Sequence, residues 1–535
     1  MTAHSPLNSR RSDATLDGER PLSVVASIAG PPATAAAPLE QLRELERLPA
    51  GIRCVEVRAD LTGDIDPRPL RDHAPGGVLY TLRSAAEGGG CGDPPDRRRA
   101  RLVAAADHYD FVELEAGRDL HRTILDRIPP HRRVLSWYGP AADLAGLRRR
   151  FAAMAAVPAR LYRLAPAADT MAQALVPLRL LKSLGRDDVT AYARGPMAAW
   201  TRVLTARFGA PIAFARLPGS TTDPSYLDQH AQTEGELPLR RLLADYPHQL
   251  LTRADRLYGI IGAATAKSLC PFAHNSAYRA LGIPALFLPF STSELARSLE
   301  ELHAGLEELA LPLRAMAVVA PHKDAAFQLT AEATPFARRV GAASLLIRAP
   351  SGWWGDTEAA GIVATMTGRQ VEVARRRIAV VGCGGAGRAA AAGLSQAGAQ
   401  VTLINRSIPA GRRAAERLGL PFVPLREFDP HSYNVLINAT PVRDTTPFPI
   451  EGLDPATVIF DLCYGATETP LVAAARTRGH ITIDGSEMTL VQLPLQFHRM
   501  TGHHIPIGIV RDAQHEFSGN ATDPESAERR LANSQ

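Results

Sequence analysis

The stretch Val380-Val-Gly382-Cys-Gly384-Gly385-Ala386-Gly-Arg-Ala, followed by Val401-Thr-Leu-Ile-Asn405-Arg406-Ser407, has the residue types and order to hold a charged nucleotide. An apolar run from Ile378 to Val381 enters a glycine-dense turn that opens an alanine-rich helical stretch, Arg388 to Leu394. A second apolar strand then ends on a cation. This is the order of a dinucleotide-binding βαβ unit. Gly382 permits the tight turn. Gly384 and Gly385, with Ala386 beside them, let backbone N–H groups approach a pyrophosphate, and the helix N-terminus adds its positive dipole. NAD-binding units end the second strand on Asp or Glu for the ribose hydroxyl, whereas here stand Asn405, Arg406 and Ser407. A guanidinium suits a 2′-phosphate, so NADP is expected rather than NAD. The alternative is a glycine-rich turn with no ligand, and the conjunction of strand, helix, second strand and Arg406 speaks against it.

These residues need elements to position them. From Leu22 to about Leu217, short apolar runs beginning at Ser23, Cys54, Gly77, Phe111, Val134, Leu161, Val189 and Ile212 alternate with helical stretches. Such alternation predicts an α/β architecture whose N-terminal part is a (β/α)8 barrel. A polar connection follows, and a new α/β unit begins at Leu257-Tyr-Gly-Ile-Ile-Gly. The expected organisation is a disordered leader at 1–21, the barrel at 22–245, a second α/β domain at 256–364, and a Rossmann nucleotide-binding domain at 365–511. The apolar helix from Met488 to Met500 should return onto the preceding domain. The tail, 512–535, is polar and without periodicity, so it is expected to be disordered.

Composition sets limits on function. A chain of 535 residues calls for two or three domains, and 45% hydrophobic with 21% charged residues suits a globular protein. No uninterrupted apolar run of about 18 residues occurs, so no membrane partner is expected. The first residues lack the apolar core of a signal peptide, which points to the cytoplasm. Cys54, Cys91, Cys270, Cys383 and Cys463 are scattered without CxxC pairing, against both a disulfide framework and a metal site. The net charge of +5 comes from dispersed arginines such as Arg97–Arg99 and Arg148–Arg150. These read as solvated helix faces rather than a nucleic-acid stripe. The expected partner is therefore a small molecule; no oligomeric state follows from the sequence.

Taken in order, the motifs resemble the bifunctional type I 3-dehydroquinate dehydratase–shikimate dehydrogenase proteins over roughly residues 22 to 511. On the dehydrogenase side these are Tyr258-Gly-Ile-Ile-Gly, Pro271-Phe-Ala-His274-Asn, Pro321-His-Lys323, the glycine loop with Asn405-Arg-Ser, Asn438-Ala-Thr-Pro441, and Asp484-Gly with Gln492. On the barrel side they are Glu56-Val-Arg58-Ala-Asp60, Thr81-Leu-Arg83-Ser, and Thr201-Arg202-Val-Leu-Thr-Ala-Arg207. The resemblance implies a dehydratase barrel followed by a two-domain shikimate-dehydrogenase-like unit that binds NADP and a cyclic hydroxy acid.

Type I dehydratases form an imine between a lysine and the substrate ketone, and a histidine moves the protons. The family's lysine strand aligns with Ala159-Arg-Leu-Tyr-Arg163 and its histidine strand with Val134-Leu-Ser-Trp-Tyr138, so an arginine and a tyrosine stand in those places. A guanidinium cannot add to a carbonyl as a desolvated amine does. A phenol is a poor proton shuttle near neutral pH. The family's closing Ser–Ala–Pro–Gly–Gln loop is here Gln232-Thr-Glu-Gly-Glu236. The barrel is therefore expected to be inactive as a dehydratase. Glu56, Arg58, Arg83 and Arg202 remain either as ligands for a small polyol acid or as charges that satisfy one another.

In the dehydrogenase half the resemblance makes Lys323 the group that handles the proton as hydride leaves, paired with a carboxylate at Glu358, where the family has Asp. The extra methylene moves that carboxylate outward by about 1.5 Å. The serines that hold the substrate carboxylate map to Ser268 and Cys270, and an asparagine maps to Ser344. Two further polar positions map to Ala317 and Val319, while Asp356 replaces an asparagine and should repel an acid. Gln492 is kept, Tyr464 maps beside the nicotinamide, and Asn438 belongs to the cofactor set. Several lost contacts, each worth about 1–3 kcal/mol, predict weak binding of shikimate itself. The expected activity is an NADP-dependent hydroxyl–ketone interconversion on a shikimate- or quinate-type acid. The alternative is a non-catalytic sensor derived from such enzymes.

Overall fold

The computed structural model describes residues 23–29, 52–217, 235–266, 268–357, 359–463 and 468–519. Eight short parallel strands form the first sheet: β1 (Ser23–Ile28), β2 (Ile52–Arg58), β3 (Val78–Thr81), β4 (Phe111–Glu115), β5 (Arg133–Trp137), β6 (Leu161–Leu164), β7 (Val189–Ala191) and β8 (Ile212–Arg216). From β1 to β7 each strand pairs with its sequence neighbours, and β8 pairs with β1, giving the order β7 to β1 and then β8. At the seam between β7 and β8, Thr190 Oγ1 donates to the Ile212 carbonyl at 3.3 Å. This is the expected barrel, with helices outside and a separate apolar cluster, including Val25, Leu79, Val134, Leu161 and Phe214, filling one end of the interior.

The second sheet runs β10-β9-β11-β13-β14-β12. Its strands are β9 (Arg256–Gly262), β10 (Ala285–Ser291), β11 (Leu313–Val318), β12 (Thr330–Ala333), β13 (Leu345–Ala349) and β14 (Gly352–Asp356). β13 is antiparallel to both neighbours; the other pairs are parallel. One apolar core continues from the barrel's outer helices into this layer. Trp200 lies against Phe290 with ring centroids 5.3 Å apart, and Arg179 pairs with Glu308 at 2.7 Å. The motif residues His274 and Asn275 serve this core. His274 stacks on Phe287 at 4.1 Å, and burial lowers its pKa to about 3, so it stays neutral. The Asn275 amide bonds the backbone of Phe287 and of Asp245.

The third sheet is wholly parallel in the order β17-β16-β15-β18-β19-β20. It comprises β15 (Arg377–Val381), β16 (Gln400–Asn405), β17 (Phe422–Pro424), β18 (Val435–Asn438), β19 (Val458–Asp461) and β20 (Thr482–Ile483). The order reverses between β15 and β18. Open sheets of this kind bind ligands outside the carboxyl ends of the strands at that switch. Helix Gly385–Gln396 follows β15, as expected. The returning helix, Gly485–Thr501, is N-capped by Asp484 and brings Phe497 to 5.6 Å from Tyr278 on the second layer. One expectation fails: helix Ile507–Gly519 runs through the start of the tail read as disordered. Val510 and Ala513 are buried in the same core, an anchorage too short to show as periodicity in a polar segment. The leader, 1–21, and the rest of the tail, 520–535, lie outside the described residues.

Candidate functional site

At the C-terminal edge of the third sheet, Gly382 leaves β15 with φ +107°, and a Cβ there would lie 2.9 Å from the Ala439 carbonyl group. The turn is therefore closed to side chains by conformation and by contact. Asn405 braces the loop: its Oδ1 accepts from Cys383 N at 3.2 Å and its Nδ2 donates to Ser407 O at 2.9 Å. Ser407 caps the next helix. Helix Gly385–Gln396, by contrast, begins at Gly384 without any side-chain cap. A Cβ on Gly384 would meet nothing within 4 Å. Uncapped N–H groups beneath open space suit a pyrophosphate, and Ala386 lies in that first turn. Arg406 is exposed at the end of β16 and forms no ion pair with any described residue, as a 2′-phosphate ligand requires. Asn438 is fully buried and already engaged, donating to Asp461 and accepting from Thr440. It shapes the facing turn, so its amide is not offered to a ligand. The dinucleotide supplies hydride transfer when bound; the residues here fit its phosphates.

Lys323 comes to this loop from the second sheet. After β11 the chain turns through Ala320-Pro321 and starts helix Lys323–Gln328. A Cβ on Gly385 would stand 2.8 Å from Lys323 Cβ, so the lysine helix abuts the glycine loop without a gap. Burial lowers the Lys323 amine below its ordinary pKa. Ala343 N donates to Lys323 O at 2.9 Å, which places Ser344 one residue away, and Ser344 Oγ donates to Thr357 Oγ1 at 3.3 Å. Ser268 is buried and receives the Cys270 N–H at 3.2 Å; the thiol of Cys270 is buried at the start of helix Cys270–Leu281. Gln492 packs against Gly361, where a Cβ would be 3.3 Å from the Gln492 Cβ. Glu358 and Tyr464 lie outside the described residues. Asp356, expected to repel an acid, is buried: its Oδ1 accepts from Thr334 Oγ1 and Thr357 N, and its Oδ2 lies 3.3 Å from Arg499 Nη2.

The barrel interior is arranged differently. Arg163 Nη1 pairs with Glu56 at 2.7 Å and Glu113 at 3.0 Å, its Nε donates to Tyr192 Oη, and its plane lies 3.5 Å from the Phe214 ring centre. Thr81 donates to Glu56 at 2.9 Å and Ser27 does so as well. Burial alone would raise the Glu56 carboxyl, but the Arg163 and Arg58 guanidiniums outweigh it and hold the group ionised. Burial pushes the Tyr138 phenol well above its ordinary pKa, and it donates to Glu113 at 3.0 Å. Arg83 lies 3.7 Å over the Tyr138 ring and Arg202 lies 4.0 Å over that of Tyr192. At the mouth, Arg58 is held by Asp60 through two bonds of 2.8–2.9 Å, and the Glu236 carboxylate stands 3.9 Å from both Arg58 and Arg216. Arg202 Nε donates to Gly235 O at 2.9 Å. Of the four, Glu56 and Arg58 are paired with charges of the barrel, while Arg83 and Arg202 lie on aromatic faces and Arg202 also holds a backbone carbonyl.

Three lysines occur in the whole sequence, Lys182, Lys267 and Lys323. Lys182 is on an outer helix and donates to Glu308 O at 2.8 Å, away from the barrel interior. Sequence reading missed Glu113, whose signal was its place two residues after Phe111 on one face of β4. It also missed Glu87, whose carboxylate receives the Tyr138 N–H at 2.8 Å, and Arg388 with Asp324, which join the two domains.

Fold and site together define a two-part α/β protein, a barrel ahead of a dinucleotide-binding oxidoreductase unit. The family model described as type I 3-dehydroquinase matches residues 32–233, and that of the shikimate dehydrogenase substrate binding domain matches residues 260–346. A bifunctional 3-dehydroquinate dehydratase/shikimate dehydrogenase, chloroplastic, from Arabidopsis thaliana is 25% identical over 491 residues, 85% of this chain and 79% of that one. A shikimate dehydrogenase (NADP(+)) from Syntrophobacter fumaroxidans is 30% identical over 275 residues, 49% of this chain and 93% of that one. The solved dehydroquinate dehydratase and shikimate dehydrogenase from S. pombe covers 92% of this chain and 98% of its own at 19% identity and a TM-score of 0.39. The chain belongs to the shikimate dehydrogenase family, in the form fused behind a type I 3-dehydroquinase barrel. Among the described residues no helix is long and apolar enough to cross a membrane.

Proposed function

We propose that the C-terminal half is an NADP-dependent oxidoreductase interconverting a secondary hydroxyl and a ketone on a shikimate- or quinate-type ring acid, and that the barrel does not dehydrate 3-dehydroquinate. The observation that carries the first part is the abutment of Lys323 on Gly385, which sets the root of this lysine, whose amine burial keeps below its ordinary pKa, against the cofactor loop. In this reading Lys323 takes the hydroxyl proton during oxidation, and Glu358 orients the amine. Gly384, Gly385 and Ala386 hold the pyrophosphate and Arg406 the 2′-phosphate, while Tyr464 lies against the nicotinamide. Ser268, Cys270, Ser344 and Gln492 face the ring acid. A thiol at Cys270 and apolar Ala317 and Val319 favour an acid that offers fewer hydroxyls, or a differently substituted ring. The second part is supported by Arg163 at the imine position and by the lone barrel lysine, Lys182, on the outside.

The test is NADPH formation from NADP⁺ with shikimate, quinate and amino-substituted analogues, for wild type and Lys323→Ala. Turnover with at least one acid is expected, falling by about 10²–10⁴-fold in the variant, the usual worth of a positioned acid or base. Borohydride with 3-dehydroquinate should leave the protein mass unchanged. Tight NADP binding without turnover on any acid would replace the enzyme reading with that of a ligand sensor.

A further inference from the structure

We infer that Arg388 is a positioning residue: its guanidinium fixes the spacing between the glycine loop and the helix that begins with Lys323, and so sets where the lysine meets the reacting hydroxyl. The inference rests on the reading of Lys323 given above. Arg388 is in the first turn of helix Gly385–Gln396, yet its buried side chain points out of the nucleotide domain. Nη1 donates to Cys383 O at 2.9 Å, inside its own loop. Nε donates to Val340 O at 2.9 Å and Nη2 to Gly341 O at 3.2 Å, at the end of helix Pro335–Val340 in the other domain. Nη2 also meets Asp324 Oδ1 at 2.6 Å, in the residue next to Lys323.

One planar group thus ties three segments: the glycine loop, the junction leading into β13, and the first turn of the lysine helix. A fork with five rigidly placed donors can do this, whereas an ammonium on a flexible stem holds one point. An ion pair with a carboxylate this exposed would be worth little alone. The three backbone carbonyls make it a tether. Beside that tether the lysine helix meets the glycine loop directly, since a Cβ on Gly385 would stand 2.8 Å from Lys323 Cβ, 3.0 Å from Ala342 Cβ and 3.2 Å from Asp324 Oδ1. The helix is therefore held against the loop it abuts. Lys323 and the glycine loop belong to different domains, and Arg388 joins them beside the site.

The experiment uses the full chain with Arg388→Ala, Arg388→Lys, Asp324→Ala and Lys323→Ala. It follows kcat, KM, NADPH affinity and the pH dependence of oxidation. Arg388→Ala should lower kcat by about 10- to 100-fold, the cost of a displacement on the order of 1 Å, with NADPH affinity nearly unchanged. Water admitted to the freed amine should move the rising limb of the pH profile to higher pH, which a general loss of stability would not do. Arg388→Lys should recover part of kcat. Asp324→Ala, at an exposed position, should give a smaller loss of kcat, and it decides the matter if Arg388→Ala fails to fold. Wild-type kcat with an unmoved limb in Arg388→Ala or, failing that, Asp324→Ala overturns the inference, as does a loss accounted for by weaker NADPH binding. Undiminished turnover in Lys323→Ala would remove the underlying reading instead. An inactive Lys323→Ala beside a fully active Arg388→Ala removes the positioning role alone.

Discussion

The barrel interior and the glycine loop are both dense in groups that bind anions, and they treat those groups in opposite ways. Inside the barrel, Arg163 is matched by Glu56 and Glu113, Tyr138 donates to Glu113, and Glu236 stands between Arg58 and Arg216 at the mouth. At the loop, the helix start is uncapped, Gly384 faces empty space, and Arg406 extends into solvent. Buried charge is tolerated only when it is paired, so the pairing of Arg163 with Glu56 and Glu113 engages those three groups within the protein. Donors left unmatched at an accessible edge are what a ligand completes. The residue types alone do not separate the two cases; their partners do.

This contrast can be broken, and the largest effect should come from the barrel. Arg163→Ala would remove the guanidinium that pairs with both Glu56 and Glu113 and leave two buried carboxylates with only the more distant arginines Arg58 and Arg83, at a cost of about 3–5 kcal/mol. Denaturant unfolding should show that loss. An unchanged midpoint would mean that the interior is not a closed network. The next effect belongs to the loop. Arg406→Ala should weaken NADPH by about ten- to a hundredfold, corresponding to 1.5–3 kcal/mol for a charge-assisted contact, and leave NADH unaffected. Calorimetry with both nucleotides checks this, and an equal loss for each would assign the arginine another role.

The smallest effect sharpens the comparison within the barrel. Burial and the neighbouring Glu115 raise the Glu87 carboxyl to about 7. Its protonated form is the one favoured on folding, so its contribution is complete below the ordinary value of 4.5 and is lost as pH climbs through 7. The span corresponds to at most about 3 kcal/mol, less after solvent relaxation. Glu87→Gln keeps an oxygen for the Tyr138 N–H and removes the titration. Stability measured from pH 5 to 8 should decline in wild type and stay flatter in the variant. Parallel slopes would place the pH dependence elsewhere.

Much of the molecule was legible in the chain. The eight apolar runs, the βαβ spacing around Gly382 and the capping Asp484 each carry a local physical signature, because period, turn chemistry and helix ends are short-range properties. That Lys182 is the single lysine of residues 22–245 was readable too, since it depends on residue type alone. Partnership was not. Asp356 read as a repulsive charge until Thr334 and Arg499 were found beside it, and Asn438 as a ligand until Asp461 and Thr440 were found to engage its amide. Glu113 and Arg388 passed as ordinary strand and helix residues, though each meets partners tens of residues away. The start of the tail proved helical because Val510 and Ala513 find the core. Local sequence determined which elements form and which chemistries are available. Only the tertiary structure decided which charges are already satisfied and which remain open, because a buried group's state depends on neighbours brought together from distant parts of the chain.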